Sequence, residues 1–223
     1  MNRLEEIYEK YGTDKGNKPA FPDRNRFGHE YGYFYDQYFK KYLDKNPNIL
    51  EIGVFEGNSM LAHNEYFSEK CNITAVDIEN YLKFDINDHK NFMFIKGNSE
   101  DEYTIKEAGK SRYDIIIDDA SHTCMNQISN LINYSPFLTK DGIYVIEDLQ
   151  CNLNNYYVEN NNMQSTVLDF LLTKRKLPYV SFETHYELNK RIKYVLFYSK
   201  TREINHMFDE ERCSISAIIV FND

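Results

Sequence analysis

The sequence lacks the features that would place the chain in a membrane or export it from the cell. No run of apolar residues approaches the roughly 18–20 that a helix needs to cross a bilayer. The first residues, MNRLEEIYEKYGTDKG, contain no apolar stretch of the kind found in secretory signals. These absences predict a soluble, cytoplasmic protein without a membrane partner.

Cysteine is scarce and scattered. The chain has four cysteines and no C-x-x-C pair among them: Cys71, Cys124, Cys151 and Cys213. Without paired spacing, neither a structural zinc site nor a disulfide framework is expected. We interpret the four residues as idle or buried thiols in a reducing compartment.

An excess of positive charge is also missing. The 26 lysines and arginines are outnumbered by 35 aspartates and glutamates, which gives a net charge of −9. A nucleic-acid binder usually shows the opposite balance because it has to neutralise phosphates. The charge therefore favours a small-molecule partner and argues against nucleic acid.

The N-terminal part differs in character from the rest of the chain. Residues 1–45 are rich in aromatic and polar residues, and the glycines and prolines of residues 12–28 predict a loop. The aromatic residues from Tyr31 to Tyr42 fall at helical spacing. We interpret residues 1–45 as a cap or lid segment, followed by a Rossmann-like domain over residues 46–223.

From residue 48 onward, apolar runs and helical patterns alternate. The predicted strands are 48–53, 73–78, 92–97, 113–119, 142–148, 192–198 and 214–221, and the predicted helices are 59–67, 124–138 and 166–174. The first five runs are continuously apolar, as in parallel strands buried on both faces. The last two predict a hairpin, and the asparagine-rich residues 152–162 predict a loop. The pattern indicates an α/β fold, Rossmann-like and doubly wound, with a mostly parallel seven-stranded sheet and one antiparallel edge strand.

The first two strand ends contain a candidate ligand site. Ligands of an open parallel sheet bind at the carboxyl ends of the strands. Gly53 and Gly57 follow the first strand and would allow a tight turn, although an ordinary strand–helix turn also contains such glycines. Glu51, ahead of the turn, would repel a phosphate but suits a cationic cofactor such as S-adenosylmethionine. Asp77, at the end of the second strand, can accept hydrogen bonds from a ribose.

Two further strand ends carry acidic pairs. Asp118 and Asp119 end the fourth strand, and Glu147 and Asp148 end the fifth. Carboxylates held close together repel one another unless a cation compensates them. Hard oxygen ligands favour Mg²⁺ or Mn²⁺. The alternative is that these are separate capping and turn residues.

Two of these motifs resemble those of a known family. LEIGVFEG and AVDI are similar to the first and second motifs of class I S-adenosylmethionine-dependent methyltransferases. In that family many members have a third glycine where this chain has Phe55. The resemblance implies a site in which the turn lines the methionine part of the cofactor, Asp77 holds the ribose and the residues after the third strand lie by the adenine. The residues predicted to bind the cofactor are Thr13, Lys15, Glu51, Gly53, Gly57, Ser59, Asp77, Asn98, Ser99 and Asp118.

The acidic pairs are similar to those of metal-dependent O-methyltransferases of the catechol type. That resemblance implies Asp119, Glu147 and Asp148 as the metal ligands. It places His122 where the family has a catalytic lysine, and histidine can accept a proton near neutral pH. His122 and Asp119 are therefore the predicted catalytic residues, with His185 as a further candidate base. Asp118 would contact the cofactor or orient His122.

A closer resemblance extends over most of the chain. YGTDKG, HEYGYFYDQYF, LEIGVFEGNSM, DIIIDDASH and GIYVIEDL occur in the order seen in the macrocin- and mycinose-type sugar O-methyltransferases. This implies Mg²⁺-assisted methylation of a hydroxyl on a sugar or sugar-containing metabolite, such as a sugar nucleotide, in a polysaccharide or glycoside pathway. By analogy with the family, a homo-oligomer (a dimer or larger) is expected. His29, Tyr31 and Tyr35 are the predicted substrate contacts, in a segment expected to fold over the site.

Three other interpretations are open at this stage. The methyl acceptor could be a carboxylate, a phosphate or a small phenol. The chain could instead be a nucleotide-binding or NAD-dependent Rossmann enzyme, although it lacks a full G-x-G-x-x-G motif. It could also be a binding module without catalysis, but the intact acidic pairs argue against that interpretation.

Overall fold

The computed structural model of the chain describes residues 2–17, 28–154, 158, 165–201 and 213–222. Its helices are α1 Arg3–Tyr11, α2 Gly32–Phe39, α3 Asn58–Tyr66, α4 Glu102–Ala108, α5 Cys124–Tyr134, α6 Val167–Thr173 and α7 Phe182–Arg191. Its strands are β1 Asn48–Ile52, β2 Asn72–Asp77, β3 Phe92–Lys96, β4 Tyr113–Asp118, β5 Leu138–Ile146, β6 Ile192–Thr201 and β7 Cys213–Phe221. No helix among these residues is both long enough and apolar enough to span a membrane.

The seven strands form one sheet in the order β3-β2-β1-β4-β5-β7-β6. The five strands from β3 to β5 pair in parallel, and β7 runs antiparallel to both of its neighbours. The predicted doubly wound, mostly parallel sheet is confirmed, and so is the pairing of the last two strands. The reversed strand β7 lies one position inside the edge, and β6 forms the edge itself. The order of the strands along the sheet reverses between β1 and β4, and ligands of such sheets bind at this point.

Local sequence signals explain where several helices begin and end. The side chain of Asn2 accepts hydrogen bonds from the backbone of α1, and Gly12 ends that helix with a φ of 70°. Thr166 and Asp169 form a reciprocal capping box at the start of α6. The predicted helix 124–138 ends early, at Tyr134, because a 3-10 turn with a proline follows it. Strand β5 begins at Leu138, four residues before its predicted start.

Both faces of the sheet are covered by apolar side chains. Along β4, Ile116 packs into the core on one face, while Ile115 and Ile117 pack into the core on the other. Helices α5 and α6 contribute to the first core. The second core contains buried residues of α1 and α2, including Leu4 and Tyr35. The first helices therefore pack into the same core as the strands. The boundary at residue 45 stays a prediction.

Candidate active site

The carboxyl ends of β1, β2, β4 and β5 meet around a cavity of about 420 Å³. The cavity also receives residues from the N-terminal segment, namely Gly12, Thr13, Asp14, Lys15 and His29. It lies at the crossover between β1 and β4, as expected for a ligand site in this type of sheet. Much of the predicted site lines it: Thr13, Lys15, His29, Gly53, Ser59, Asp77, Asn98, Ser99, Asp119, His122, Glu147 and Asp148.

The turn between β1 and α3 has a shape that requires its two glycines. Gly53 has a φ of 83°, and a Cβ there would lie 2.2 Å from the carbonyl oxygen of Asp119. Gly57 has a φ of 79°, and a Cβ there would lie 2.6 Å from Leu82 and Phe84. Phe55 is half-exposed and also has a positive φ, of 46°, although its residue type disfavours it. The positive φ and the lack of room for a Cβ therefore account for both glycines without any ligand.

Asp77 fixes this turn from the neighbouring strand. Its Oδ2 accepts hydrogen bonds from the backbone N–H groups of Val54 at 2.9 Å and Phe55 at 3.0 Å. Its Oδ1 accepts a longer hydrogen bond from the backbone of Glu79 at 3.3 Å. The predicted ribose ligand is thus placed at the cavity wall, and it also holds the shape of the turn.

Several predicted site residues do not line the cavity. Glu51 is fully buried, and its carboxylate lies 3.6 Å from Lys15 Nζ and 3.5 Å from His63 Nδ1. Burial alone would raise the pKa of Glu51, but His63 and Lys15 hold it below its usual value. Asp118 accepts hydrogen bonds from Asn130 and Tyr144 in the core, and burial raises its pKa to about 7. Gly57, Tyr31 and Tyr35 also lie outside the wall of the cavity.

Lys15 lies at the centre of the acidic residues. Its side chain is 2% exposed, and Nζ contacts Asp119 Oδ2 at 2.5 Å and Glu147 Oε2 at 2.8 Å. Burial alone would lower the pKa of Lys15, but the carboxylates around it raise that pKa well above its usual value. Lys15 was predicted to bind the cofactor, but its amine points at Asp119 and Glu147.

Asp119, His122 and Asp148 form a second cluster at the cavity wall. Within the described part of the chain, each offers a ligand atom that lies within 4.8 Å of the other two, which is close enough for the three to hold a metal ion. His122 Nδ1 lies 4.0 Å from Asp119 Oδ1, and Nε2 lies 3.6 Å from Asp148 Oδ2. His122 and Asp148 have φ values of 59° and 53°. Strained backbone of this kind concentrates at functional sites.

The three acids have different electrostatic environments. Burial raises the pKa of Asp119 to about 6 and raises that of Glu147 well above its usual value, in both cases against the charge of Lys15. Asp148 is held below its usual pKa, because His29 and His122 outweigh the effect of burial. Glu147 is 2% exposed, and its Oε1 has no hydrogen-bond partner within the described part of the chain.

The predicted substrate residues have unequal positions. His29 lines the cavity, stacks on Tyr31 with ring centres 4.9 Å apart, and lies 2.8 Å from Ser214 Oγ through Nδ1. Tyr31 is fully buried and donates a hydrogen bond to Asp148 Oδ1 at 3.0 Å. Tyr35 is fully buried against Ser216 Oγ, 2.9 Å from its hydroxyl. Tyr31 and Tyr35 therefore support the site from beneath.

Two residues at the site were not anticipated from the sequence. Asn126 lines the cavity and donates a hydrogen bond to Ser99 Oγ at 3.1 Å. Gln150 donates to Asp148 Oδ1 at 2.9 Å and accepts from the backbone of Ile215 at 2.8 Å. Asn126 lies in the first turn of α5, the helix that follows β4, and that position was the available signal. His185, on α7, packs against Phe170 of α6 and is not part of the cavity wall.

Sequence comparison finds relatives but no matching family model. Demethylmacrocin O-methyltransferase of Streptomyces fradiae is 28% identical over 123 residues, which are 52% of this chain and 30% of that protein. Mycinamicin VI 2''-O-methyltransferase of Micromonospora griseorubida is 26% identical over 155 residues, 66% of this chain and 36% of that protein. The chain thus spans about a third of the length of the curated relatives it matches.

Comparison with solved structures identifies the fold. The MycE methyltransferase of the mycinamycin pathway, in complex with Mg and SAH, superposes with a TM-score of 0.71 at 21% identity, over 98% of this chain and 54% of that one. The chain has the methyltransferase fold. An SAH-bound methyltransferase from Podospora anserina shares this fold with a TM-score of 0.53 at 16% identity, over 100% of this chain and 89% of that one. In the methyltransferase fold of this chain, the cavity lies at the crossover between β1 and β4.

Proposed function

We propose that the chain is an S-adenosylmethionine-dependent O-methyltransferase that methylates a hydroxyl of a sugar or sugar-containing metabolite with the help of Mg²⁺. The main support is that one cavity joins the Gly53 turn and Asp77 to the cluster of Asp119, His122 and Asp148. A cofactor at the turn and an acceptor at the acids would then share a single cavity. The fold and the curated relatives are consistent with this activity.

The cofactor half of the cavity suits a cation better than a dinucleotide. Lys15 is the one lysine or arginine among the described residues that line it, and its amine already contacts Asp119 and Glu147, so the negative charges of the wall, such as Asp14, would repel a pyrophosphate. S-adenosylmethionine has a sulfonium and an ammonium and no phosphate. We propose that Asp77 binds its ribose, with Asn98 and Ser99 near the adenine. These charges disfavour the NAD-dependent alternative.

The residues present fit a divalent cation. Asp119 and Asp148 each direct one oxygen toward His122, and the buried Glu147 Oε1 has no hydrogen-bond partner among the described residues. We propose that Asp119, Glu147 and Asp148 would hold Mg²⁺, since that ion prefers oxygen ligands and leaves a histidine free. When bound, the ion supplies positive charge that lowers the pKa of a nearby hydroxyl and orients it.

We propose that His122 removes the proton of the acceptor hydroxyl. A sugar hydroxyl is a weak nucleophile at neutral pH, so its proton has to leave as the new bond forms. S-adenosylmethionine, when bound, would supply the methyl group to the acceptor oxygen and leave as S-adenosylhomocysteine, and His122 would accept the hydroxyl proton. Histidine is suited to this step because it exchanges protons near neutral pH.

The sugar acceptor is proposed from the relatives. One of them is named as the 2'-O-methyltransferase of a rhamnosyl tetracenomycin, and another as the 2''-O-methyltransferase of mycinamicin VI. His29 lines the cavity next to Asp148, where such an acceptor would enter the site. The other acceptors considered above, a carboxylate, a phosphate or a phenol, are outcomes of the same assay.

The proposal is tested by binding and turnover. Calorimetry should show S-adenosylhomocysteine binding to the protein, and Asp77→Ala should weaken it by about 1–3 kcal/mol, as for a lost charged partner. Glu79→Ala is the matched control, because Glu79 is an exposed acid two residues away that pairs with Lys96. Methyl transfer to a panel of glycosides and nucleotide sugars should stop in EDTA and return with Mg²⁺.

Two results would contradict this assignment. Absence of S-adenosylhomocysteine binding at millimolar concentration would remove the cofactor half of the proposal. Full turnover in EDTA would remove the metal half and leave the acids in need of another explanation.

A further inference from the structure

Lys15 is a buried cation supplied by the N-terminal segment to the ends of three strands. It contacts Glu51 of β1, Asp119 after β4 and Glu147 after β5, at 3.6, 2.5 and 2.8 Å. The Lys15 side chain is 2% exposed, and those of Glu51 and Glu147 are 0% and 2% exposed. Burial of an ionised group in protein costs several kcal/mol unless an opposite charge compensates it. Lys15, Glu51 and Glu147 therefore depend on one another for compensation, while Asp119, whose side chain is 23% exposed, adds a further negative charge beside the lysine.

The lysine uses only part of the oxygen atoms around it. It contacts Oδ2 of Asp119 and Oε2 of Glu147. Oδ1 of Asp119 lies near His122 instead, and Glu147 Oε1 has no hydrogen-bond partner in the described ranges. An ammonium on one side of the carboxylates and a divalent cation on the other are therefore compatible.

The backbone holds Lys15 in place. The backbone N–H of Tyr31 donates to the carbonyl of Lys15 at 2.8 Å, and the N–H of His29 donates to the carbonyl of Asp14 at 2.6 Å. The hydroxyl of the same Tyr31 donates to Asp148. The pairing of residues 14–15 with residues 29–31 thus fixes Lys15 and also Tyr31, the hydrogen-bond partner of Asp148.

We propose that Lys15 is a positioning residue that acts as a built-in counter-cation: it keeps the carboxylates of the site assembled when no divalent metal is bound. The part of this inference that concerns metal rests on the proposed function. Without the lysine, the buried acids would repel one another, and a divalent cation would become the main compensation. The stability of the protein would then depend on Mg²⁺.

The test compares Lys15→Met with Lys10→Met. Lys10 is on the same segment and pairs with Glu65, but it is exposed. In metal-free buffer, Lys15→Met should melt at least about 5 °C below the Lys10→Met control, the scale expected for a broken buried pair in a chain of this size. Mg²⁺ should raise the melting temperature of Lys15→Met more than that of the wild type. Equal melting of the two variants without metal would overturn the proposal.

A double variant separates charge compensation from general packing. Lys15→Met with Glu147→Gln removes one buried negative charge together with the positive one, and it should recover part of the lost melting temperature in metal-free buffer. If Lys15→Met alone does not fold, the test still applies, because the proposal then predicts that the double variant folds. A double variant that is no more stable than Lys15→Met, or that also fails to fold, would overturn the proposal.

Calorimetry distinguishes this failure from failure of the proposed function. If the wild type does not bind Mg²⁺ but the double variant is rescued, the metal assignment is wrong and the role of Lys15 stands. If the wild type binds Mg²⁺ and Mg²⁺ stabilises Lys15→Met no more than the wild type, the role of Lys15 is wrong.

Discussion

In the proposed reaction the side chain of His122 accepts the proton. The backbone conformation of His122 decides which substitution tests this role. Its φ of 59° is one that asparagine tolerates better than most residues. His122→Asn therefore removes the imidazole while keeping the backbone. We expect the rate of methyl transfer to fall by roughly 10²- to 10⁴-fold, the usual effect of a lost general base. Steady-state kinetics measures this effect, and calorimetry should show S-adenosylhomocysteine binding unchanged.

His185 provides the matched control for this variant. It lies on α7, where Nδ1 accepts a hydrogen bond from the backbone of Leu177 at 3.4 Å, outside the cavity wall. His185→Ala should retain the wild-type rate. An active His122→Asn enzyme would show that the base lies elsewhere, and Asp119 would be the next candidate.

At the residue level, the sequence indicated the acids and the histidine more clearly than their partners. Asp119, His122 and Asp148 could be placed together because they follow neighbouring strands of a parallel sheet. The contact of Lys15 with Asp119 joins residues 104 positions apart, and no local pattern encodes such a contact. Glu51 was expected to face the cofactor, whereas the structure places it beneath the site because a residue inside a strand points to one face of the sheet.

At the level of single elements, helix α1 contains a titratable group in the core. Glu5 is fully buried, and burial raises its pKa to about 7. The folded pKa lies above the unfolded one, so the unfolded chain loses this proton first as the pH rises from about 4.5 to 7. The free energy of unfolding should therefore fall over that range. Glutamine at this position does not titrate. The free energy of unfolding of Glu5→Gln, measured relative to that of the wild type, should therefore be roughly 1–3 kcal/mol higher at pH 7.5 than at pH 4.5.

Urea unfolding at several pH values measures this difference. Glu6→Gln, on the exposed face of the same helix, is the control and should follow the wild type. A stability difference between Glu5→Gln and the wild type that stays constant with pH would mean that Glu5 does not titrate in the folded protein in this range.

Elements with a strong apolar pattern were predicted well, and short amphipathic ones were not. The parallel strands were found within one or two residues at most ends, because β-branched runs buried on both faces are unambiguous. Helices α1, α4 and α7 were not predicted. Helix α4 has only seven residues, and the apolar residues of α7 are sparse, with Leu188 its one buried member. The side chains of Asn2 and Ser181 cap the starts of α1 and α7, whereas α4 has no side-chain cap and depends on packing.

At the level of the whole molecule, the N-terminal segment belongs to the folded core. Leu4, Tyr8 and Tyr35 share a cluster of buried side chains with residues of β1, β4 and β5. Deletion of residues 2–17 should therefore abolish cooperative thermal unfolding, followed by far-ultraviolet circular dichroism. A truncated protein that still melts cooperatively with native amplitude would instead show that the segment is a removable lid, as the sequence suggested.

The overall architecture was predictable because alternation of strands and helices leaves few ways to build a sheet. The sequence could not show that the first helices would complete the core, since their aromatic residues read equally well as a lid. Residues 18–27, which the lid interpretation includes, lie outside the described part of the chain. The expected oligomer also stays a prediction.

The hydrogen bonds of His29 and Tyr35 to β7 have a consequence for how the protein is made. They join residues 185 and 181 positions apart, so strand β7 has to be in place before His29 and Tyr35 gain these contacts. Contacts of such long range form slowly, because a large loop has to close first. During synthesis on the ribosome, the early strands can pair while the cavity still lacks its final support. A nascent chain in which β7 has not yet left the ribosome would therefore bind the cofactor poorly, and binding would begin only after β7 has joined the sheet.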